Sequence, residues 1–484
     1  VAKRCAENIR DHFGPEEGKI HGYDGHEEIE IGLLRLYHVT GNEDHLQLAK
    51  YFLLERGKHP EFFREQAATY DGPDALGGIE KSPDTYFQNH KPVMEMDTAE
   101  GHAVRVVYLC TALADLAATT EDPEIYEVCK RFWNNITKKR MFITGGIGST
   151  VKGESFTLDY DLPNDTMYCE TCAAVGMVFF ARQMLRIEPK AEYAEVMERS
   201  LYNCALAGMA LDGKHFFYVN PLEVNVKKFK LDPTKSHVKA IRPSWLGCAC
   251  CPPNLARLLA SLDDYVYTVR EDAVLLNLFV GSDATISIDE ERALEIQQRT
   301  EFPWEDALAL TITNRGEEPE QIGIRIPSWA EGTILEVAGN KQEVTTKDGY
   351  QYLVVAAGES VEVRLSFTVS VRRNYSNLHV SEDAGKVALS RGPFVYCLEE
   401  VDNGEELYRL ELPEDGKVSY EYEPDLLGGV GTILASGKRL VEEETDELYG
   451  HAKPKETEVQ LKYIPYYAWA NRGENDMQVW IRER

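Results

Sequence analysis

No stretch of eighteen or more consecutive apolar residues occurs in the 484-residue chain, so no helix is expected to span a membrane and no membrane partner is expected. Basic residues are in the minority: 52 lysines and arginines stand against 81 acids, a formal charge of −29. A field of that sign repels phosphate backbones, which argues against nucleic acid as a partner; an uncharged ligand is indifferent to it. The glycine cluster Gly145-Gly146-Ile147-Gly148 is not followed by Lys-Ser/Thr at the spacing of a phosphate loop. It predicts a tight turn with close backbone approach instead. An initiator methionine is also missing. The chain opens at Val1, already inside an amphipathic pattern that runs to Phe13, so the natural start and any secretion signal are expected upstream.

What is present is enough apolar material for large cores, 43% of residues, spread over a length that predicts roughly two or three domains. Helical periodicity holds over 1–264. Within it an apolar helix, a short acidic turn and an amphipathic helix recur three times: Ile29–Thr40 with Asp44–Leu54, Ala99–Ala118 with Asp122–Ile136, and Cys172–Leu185 with Lys190–Ala207. Hairpins repeated about every 70 residues predict an (α/α)6-type helical toroid, and the count of about eight or nine helices predicts that its N-terminal part is missing. From Tyr265 the period changes to strand alternation, in Val274–Val280, Thr285–Ile288, Ala307–Thr313, Gln321–Ile326 and Ser360–Phe367. Short runs at that spacing predict an antiparallel β-sandwich over 265–380. Lys386–Leu398 and Val459–Arg482 predict a second β-sandwich over 381–484, or strands completing the β region. Asp402–Glu458, acidic and glycine-rich, reads as a long excursion between them.

Ten cysteines are distributed unevenly. Cys5, Cys110, Cys129 and Cys204 fall in helical patterns and Cys397 in a strand, where cysteine is an ordinary small hydrophobe. The other five crowd into two loops, Tyr168-Cys169-Glu170-Thr171-Cys172 and Gly247-Cys248-Ala249-Cys250-Cys251-Pro252-Pro253-Asn254, each just before a helix. In a chain this long, such clustering favours metal binding over a disulfide framework. A helix N-terminus stabilises a thiolate. Glu170 and Cys172, two apart in an extended loop, can face one ion, and zinc accepts both thiolate and carboxylate. Adjacent Cys250 and Cys251 are hard to explain by packing. A vicinal disulfide or plain thiols are the competing readings, and spacing alone leaves Cys169 and Cys248 as rival ligands. Taken singly, Glu154, His26 and His102 read as ordinary loop and helix-start residues, and Glu198 and Tyr218 carry no pattern at all.

With those motifs in view, the chain resembles glycoside hydrolase family 127, the β-L-arabinofuranosidase-like family. The resemblance rests on Gly145-Gly146-Ile147-Gly148 with Glu154, on Glu170-Thr171-Cys172 and on Cys250-Cys251-Pro252-Pro253-Asn254, and it covers essentially the whole chain. It implies a helical toroid followed by β-sandwiches, with a further N-terminal stretch in family members. It implies zinc held by Glu170, Cys172, Cys250 and Cys251, with Cys250 as nucleophile and Glu154 as general acid/base. His26, His102, Glu198 and Tyr218 match residues lining the sugar pocket. The implied activity is retaining hydrolysis of β-linked L-arabinofuranose from a small-molecule or oligosaccharide substrate. Alternatives on the same scaffold are a glycosidase for another sugar or linkage, such as an arabinopyranoside, and a non-catalytic carbohydrate binder with structural zinc. For Glu154 to protonate a leaving group, burial is expected to raise its pKa. A homodimer through a β-sandwich is expected, and free thiols suggest a cytoplasmic setting.

Overall fold

The computed structural model describes residues 1–69, 82–441 and 448–484. Its helical part contains α1 (Ala2–His12), α2 (Ile29–Thr40), α3 (Glu43–Glu55), α4 (Phe62–Ala68), α5 (Ala103–Thr120), α6 (Pro123–Asn135), α7 (Thr171–Ile187), α8 (Ala191–Arg199), α9 (Val226–Leu231), α10 (Cys251–Leu259) and α11 (Asp263–Val266). The three predicted hairpins are present as α2/α3, α5/α6 and α7/α8. Asn42 and Asp122 cap the second helix of the first two through their side chains.

Two layers follow from composition. α2, α5, α7 and α10 pack side by side, with α3, α6 and α8 behind them. Every residue of α5 from Ala103 to Ala117 is buried, including Arg105 and Asp115. That explains why α5 is apolar and long enough to cross a membrane by length and composition: 83% of it lies inside the fold. α6 buries Ile125, Val128, Cys129, Phe132 and Trp133, the one-sided stripe of an outer helix. Gly176 lets α7 lie against α5, since a Cβ there would sit 2.3 Å from Val107 Cγ2. This close approach places the start of α7, with Glu170 and Cys172, beside α5.

Among the described residues the β part holds three sheets. A five-stranded sheet runs Thr346–Lys347, Tyr350–Val355, Glu320–Arg325, Val274–Leu276, Tyr267–Val269. A six-stranded sheet runs Ser282–Ser287, Ala293–Arg299, Ala307–Asn314, Ser360–Thr368, Glu331–Val337, Asn340–Gln342. Alternating burial in Ala307–Asn314 and Ser360–Thr368 turns one face of the second sheet inward, the arrangement of a sandwich. The C-terminal part is one ten-stranded sheet. Its two longest strands, Val430–Val441 and Lys455–Pro465, pair from Ile433↔Tyr463 to Val441↔Lys455.

The structure corrects one reading here. Asp402–Glu458 is not an excursion: it supplies Leu410–Leu412, Val418–Glu423, Val430–Val441 and the start of Lys455–Pro465 to the sheet. Acids among the outward residues of Val418-Ser419-Tyr420-Glu421-Tyr422-Glu423 obscured its alternation. Val371–Asn374 also pairs into this sheet, against Lys386–Arg391, and Glu223–Val224 from the helical part joins it beside Met477–Gln478.

Candidate active site

The site forms where three loops converge on the starts of α5, α7 and α10. Glu170 is the N-cap of α7 and Cys172 lies in its first turn. A neighbouring segment laces this loop down: Thr171 N donates to Tyr218 O at 2.9 Å, Thr171 Oγ1 to Phe217 O at 2.9 Å, and Asn220 Nδ2 to Cys169 O at 2.9 Å. Cys250 is the N-cap of α10 and Cys251 its first residue, with prolines at the next positions as a helix start allows. Asn254 ties α10 to α5, donating from Nδ2 to Tyr108 Oη at 2.8 Å.

The glycine cluster supports the floor. A Cβ on Gly146 would meet Cys204 Sγ at 3.0 Å and Cys169 Sγ at 3.1 Å, so the chain passes close, as its composition predicted. Cys169, with φ +42°, takes the left-handed backbone that places Glu170 on the far side. Its buried sulfur faces the glycines, and it is not one of the four clustered donors. Glu154 also has a positive φ, +52°, in a turn pinned by pairing of Ser155 with Thr150 and with His102. Two strained non-glycine residues in one site are the mark of a geometry held by its surroundings.

Glu170, Cys172, Cys250 and Cys251 bring four donor atoms within 4.8 Å of one another. Cys172 Sγ lies 3.5 Å from Cys251 Sγ, and Cys250 Sγ 3.7 Å from Cys251 Sγ; Glu170 Oε1 is 3.4 Å from Cys250 Sγ and 3.6 Å from Cys251 Sγ. Tetrahedral zinc, with bonds of about 2.3 Å to sulfur and about 2.0–2.2 Å to oxygen, sets ligand–ligand edges of roughly 3.5–3.8 Å. The donor set fits. Glu170 Oε2 is buried with no hydrogen-bond partner, and four acids this close cannot all ionise without a cation among them. Burial, then the charges of Cys250 and Glu154, push the Glu170 carboxyl well above its ordinary range. Cys172 and Cys251 are pushed up as well, Cys172 first by its hydrogen bond with Cys250 and Cys251 first by burial. Only Cys250 goes the other way: hydrogen bonds from Cys172, Cys251, Tyr218 and Glu170 hold its thiol far below the usual value, against the pull of burial. The expectation of a lowered thiol is thus met in direction by one of the three sulfurs, and its neighbours' hydrogen bonds are the cause.

Glu154 faces this group. Its Oε2 accepts from Tyr218 Oη at 3.2 Å and lies 3.1 Å from His102 Nε2. The His102 tautomer follows from its other nitrogen. Nδ1 accepts from Arg105 N at 3.4 Å, so Nε2 carries the proton and donates to Glu154. Burial acts to raise the Glu154 pKa, but the His102 hydrogen bond and charge, with bonds to Glu170 and Tyr168, outweigh it and the net shift is downward. The expected raising by burial is therefore present but does not prevail. His26 lies beside His102, ring centroids 6.2 Å apart, and beside Tyr108 at 5.6 Å. Loss of solvent, then Arg105 and His102, push it below the ordinary histidine value.

Glu198 is not brought to this group. It is fully buried in α8, bonded to Arg325 and, at 3.0 Å, to Trp329 Nε1 of the middle β region. Its carboxylate fastens helical to β structure, which a residue-type match in sequence cannot distinguish from a pocket role. Glu198→Gln leaves Arg325 buried without its counter-charge. The substitution is expected to cost about 3 kcal/mol of stability, read as a lower unfolding midpoint in urea, with substrate preference unchanged.

Residue patterns missed Tyr86, Arg105 and Tyr168. Arg105 is buried with its guanidinium 4.6 Å over the Tyr86 ring, and Tyr86 in turn packs edge-on against His102. Spacing held the signal for Arg105, three residues after His102 on a helix start. Tyr168, inside the quoted cysteine loop, interacts with Glu154. Tyr86 left no signal.

Comparison with known proteins gives this geometry a lineage. Family models match the chain in three consecutive parts: the catalytic domain of the GH127 β-L-arabinofuranosidases over residues 1–264, the GH127 middle domain over 273–369, and the glycoside hydrolase family 127 C-terminal domain over 371–482. The chain belongs to glycoside hydrolase family 127. A curated relative, the non-reducing end β-L-arabinofuranosidase of Bifidobacterium longum subsp. longum, is 43% identical across all of this chain and 74% of its own length. Among solved structures, a GH127 β-L-arabinofuranosidase from Geobacillus stearothermophilus T6 superposes with a TM-score of 0.93 at 47% identity, covering 99% of this chain and 75% of that one. A second, a GH127 β-arabinofuranosidase, gives 0.85 at 34%, covering 99% and 72%. The chain is thus a glycoside hydrolase of this family, built as a helical catalytic region followed by β-sheet domains, and it acts on a small-molecule or oligosaccharide glycoside.

Proposed function

We propose that this family 127 enzyme releases β-linked L-arabinofuranose with retention of configuration, using Cys250 as nucleophile and Glu154 as general acid/base. What supports the reading is the placement of Glu154 beside the Glu170, Cys172, Cys250 and Cys251 group, with its carboxyl within 4.8 Å of Glu170 and accepting from the Tyr218 hydroxyl. Retaining glycosidases need two groups flanking the anomeric carbon, one to attack and one to carry protons. Here a thiolate takes the first place. Glu170, Cys172, Cys250 and Cys251 would hold zinc. When bound, the ion neutralises the clustered acids and keeps Cys250 deprotonated.

The protein's own groups account for the proton traffic. Glu154 delivers a proton to the departing oxygen as Cys250 Sγ bonds to C1, then takes one from the water that frees the sugar. In the substrate-free site His102 favours its ionised form, suited to the second half. Substrate in the pocket excludes the remaining solvent from Glu154 and strengthens the burial that raises its pKa, which suits the first. His26, disfavoured as a cation, offers a neutral ring nitrogen to a sugar hydroxyl, His102 spends both of its nitrogens on Arg105 N and Glu154, and Tyr218 orients Glu154.

The direct test is hydrolysis of an aryl β-L-arabinofuranoside by zinc-loaded protein. Turnover that disappears on chelation and returns with zinc supports the reading; no turnover with zinc demonstrably bound rejects this sugar. A pH experiment tests the Glu154–His102 link. His102→Phe removes the donor that lowers Glu154 and leaves burial unopposed. The alkaline limb of kcat/KM is expected to move to higher pH, alongside a lower maximum. A limb that stays in place separates His102 from Glu154.

A further inference from the structure

Cys248 has no part in the mechanism above. Of the ten cysteines it and Cys5 alone are exposed, and Cys5 sits in α1, far along the chain from the reactive loops. Cys110, Cys129, Cys204 and Cys397 are buried packing residues, as their helical and strand positions predicted, whereas Cys5, given the same reading, is exposed on α1. Packing does not explain Cys248. It is two residues before Cys250, in a segment without regular structure that leads into α10. Its thiol interacts with the Cys250 sulfur and with the Tyr218 hydroxyl. Yet it stands outside the four donors that lie within 4.8 Å of one another. Gly247 beside it has open space where a side chain would be, and 247–249 are all exposed. The fifth sulfur of the neighbourhood is therefore exposed, two residues along the chain from the reactive one, and outside the donor group.

Double displacement asks something of Cys250 that it asks of no other ligand. While its sulfur carries the sugar it is a neutral thioether, a poor donor, and Glu170, Cys172 and Cys251 are left to hold a divalent cation among three. We propose that Cys248 is a relief ligand, joining Glu170, Cys172 and Cys251 while Cys250 carries the sugar. The inference rests on the zinc–thiolate reading above. Its chemistry balances without an oxidant. As the S–C1 bond forms and the C1–O bond breaks, the Glu154 proton leaves with the alcohol, and Cys248, being exposed, gives its own proton to solvent. When water attacks C1, Glu154 takes the water's proton, Cys250 departs as thiolate, and Cys248 regains a proton from solvent as it withdraws.

Cobalt(II) in place of zinc tests this without any turnover, because its sulfur-to-metal charge-transfer absorbance counts thiolates. Wild-type protein sets the three-thiolate baseline, and Cys248→Ser alone leaves it unchanged. The proposal expects Cys250→Ala to keep the wild-type absorbance and Cys248→Ser/Cys250→Ala to lose about one third of it. It is overturned if Cys250→Ala itself loses that third and removing Cys248 changes nothing more. Wild-type protein that shows no such band sinks the zinc reading, a different failure. Alkylation needs no double variant. Cys248 should react freely with iodoacetamide in zinc-loaded wild type and be shielded in zinc-loaded Cys250→Ala; equal reactivity in the two overturns the proposal.

Discussion

Cys250→Ser is expected to lower kcat on an aryl β-L-arabinofuranoside by about 10⁴-fold or more, the scale seen when a covalent nucleophile is removed. The reason lies in the ionisation of the sulfur. Hydrogen bonds from Cys172, Cys251 and other neighbours lower a thiol whose ordinary pKa lies above neutral, which favours the thiolate. A serine hydroxyl starts many pKa units higher and stays protonated in the same surroundings. The fold should tolerate the change, because Cys250 is only partly buried and caps α10 without a side-chain bond. Unchanged circular dichroism with lost turnover is the expected pair of results. Activity within about tenfold of wild type would remove Cys250 as nucleophile.

Glu154→Gln is expected to cost about 10²–10⁴-fold, the range for a positioned proton donor, and unevenly across substrates. An alkyl or sugar leaving group needs its oxygen protonated, so the loss should be largest there. A nitrophenyl leaving group departs without help, so sugar–enzyme formation survives and release becomes slow. Added azide, which attacks C1 without needing a base, should then restore turnover and yield the glycosyl azide. Glutamine keeps the contacts: its amide oxygen can still accept from Tyr218 and His102, which hold Glu154 at 3.2 and 3.1 Å. Stability should change little, since Glu154 keeps a side-chain exposure of 30%. A uniform loss across leaving groups, with no azide effect, would assign Glu154 a positioning task instead.

Much of this arrangement can be read from sequence where chemistry is local. Two cysteine loops at two helix starts point to the donor group before any coordinates, because a helix N-terminus is a short-range fact. The hairpins α2/α3, α5/α6 and α7/α8 follow from 3.6-residue periodicity for the same reason. The extended i, i+2 spacing expected of Glu170 and Cys172 is not what joins them, since Cys172 lies in the first turn of α7. What sequence leaves hidden depends on distant partners. Spacing could not choose between Cys169 and Cys172, whereas a positive φ at Cys169 turns its sulfur away toward Gly146. Glu198 and Glu154 are both lone acids by pattern; Arg325, 127 residues downstream, makes the first a structural anchor, while His102 and Tyr218 make the second part of the site. Val418–Glu423 was concealed because acids stand among its outward residues, although it pairs with the next strand, Val430–Val441, which pairs in turn with Lys455–Pro465.

The ionisation of Glu154 shows the same limit from another side. Burial was expected to raise its pKa, and burial is indeed the largest single influence on it. The opposing influence comes from a histidine 52 residues away whose tautomer is set by its own helix cap. Residue types alone do not reveal which of two such effects wins.

The central claim is that the sugar is carried on Cys250, and rapid acid quenching of the enzyme during steady turnover, followed by peptide mass spectrometry, tests it most directly. The account predicts a pentose adduct on the peptide spanning Cys248–Cys251, with fragmentation placing it on Cys250. A pentose ester on Glu170 or Glu154, or no adduct together with an inverted product, would contradict it.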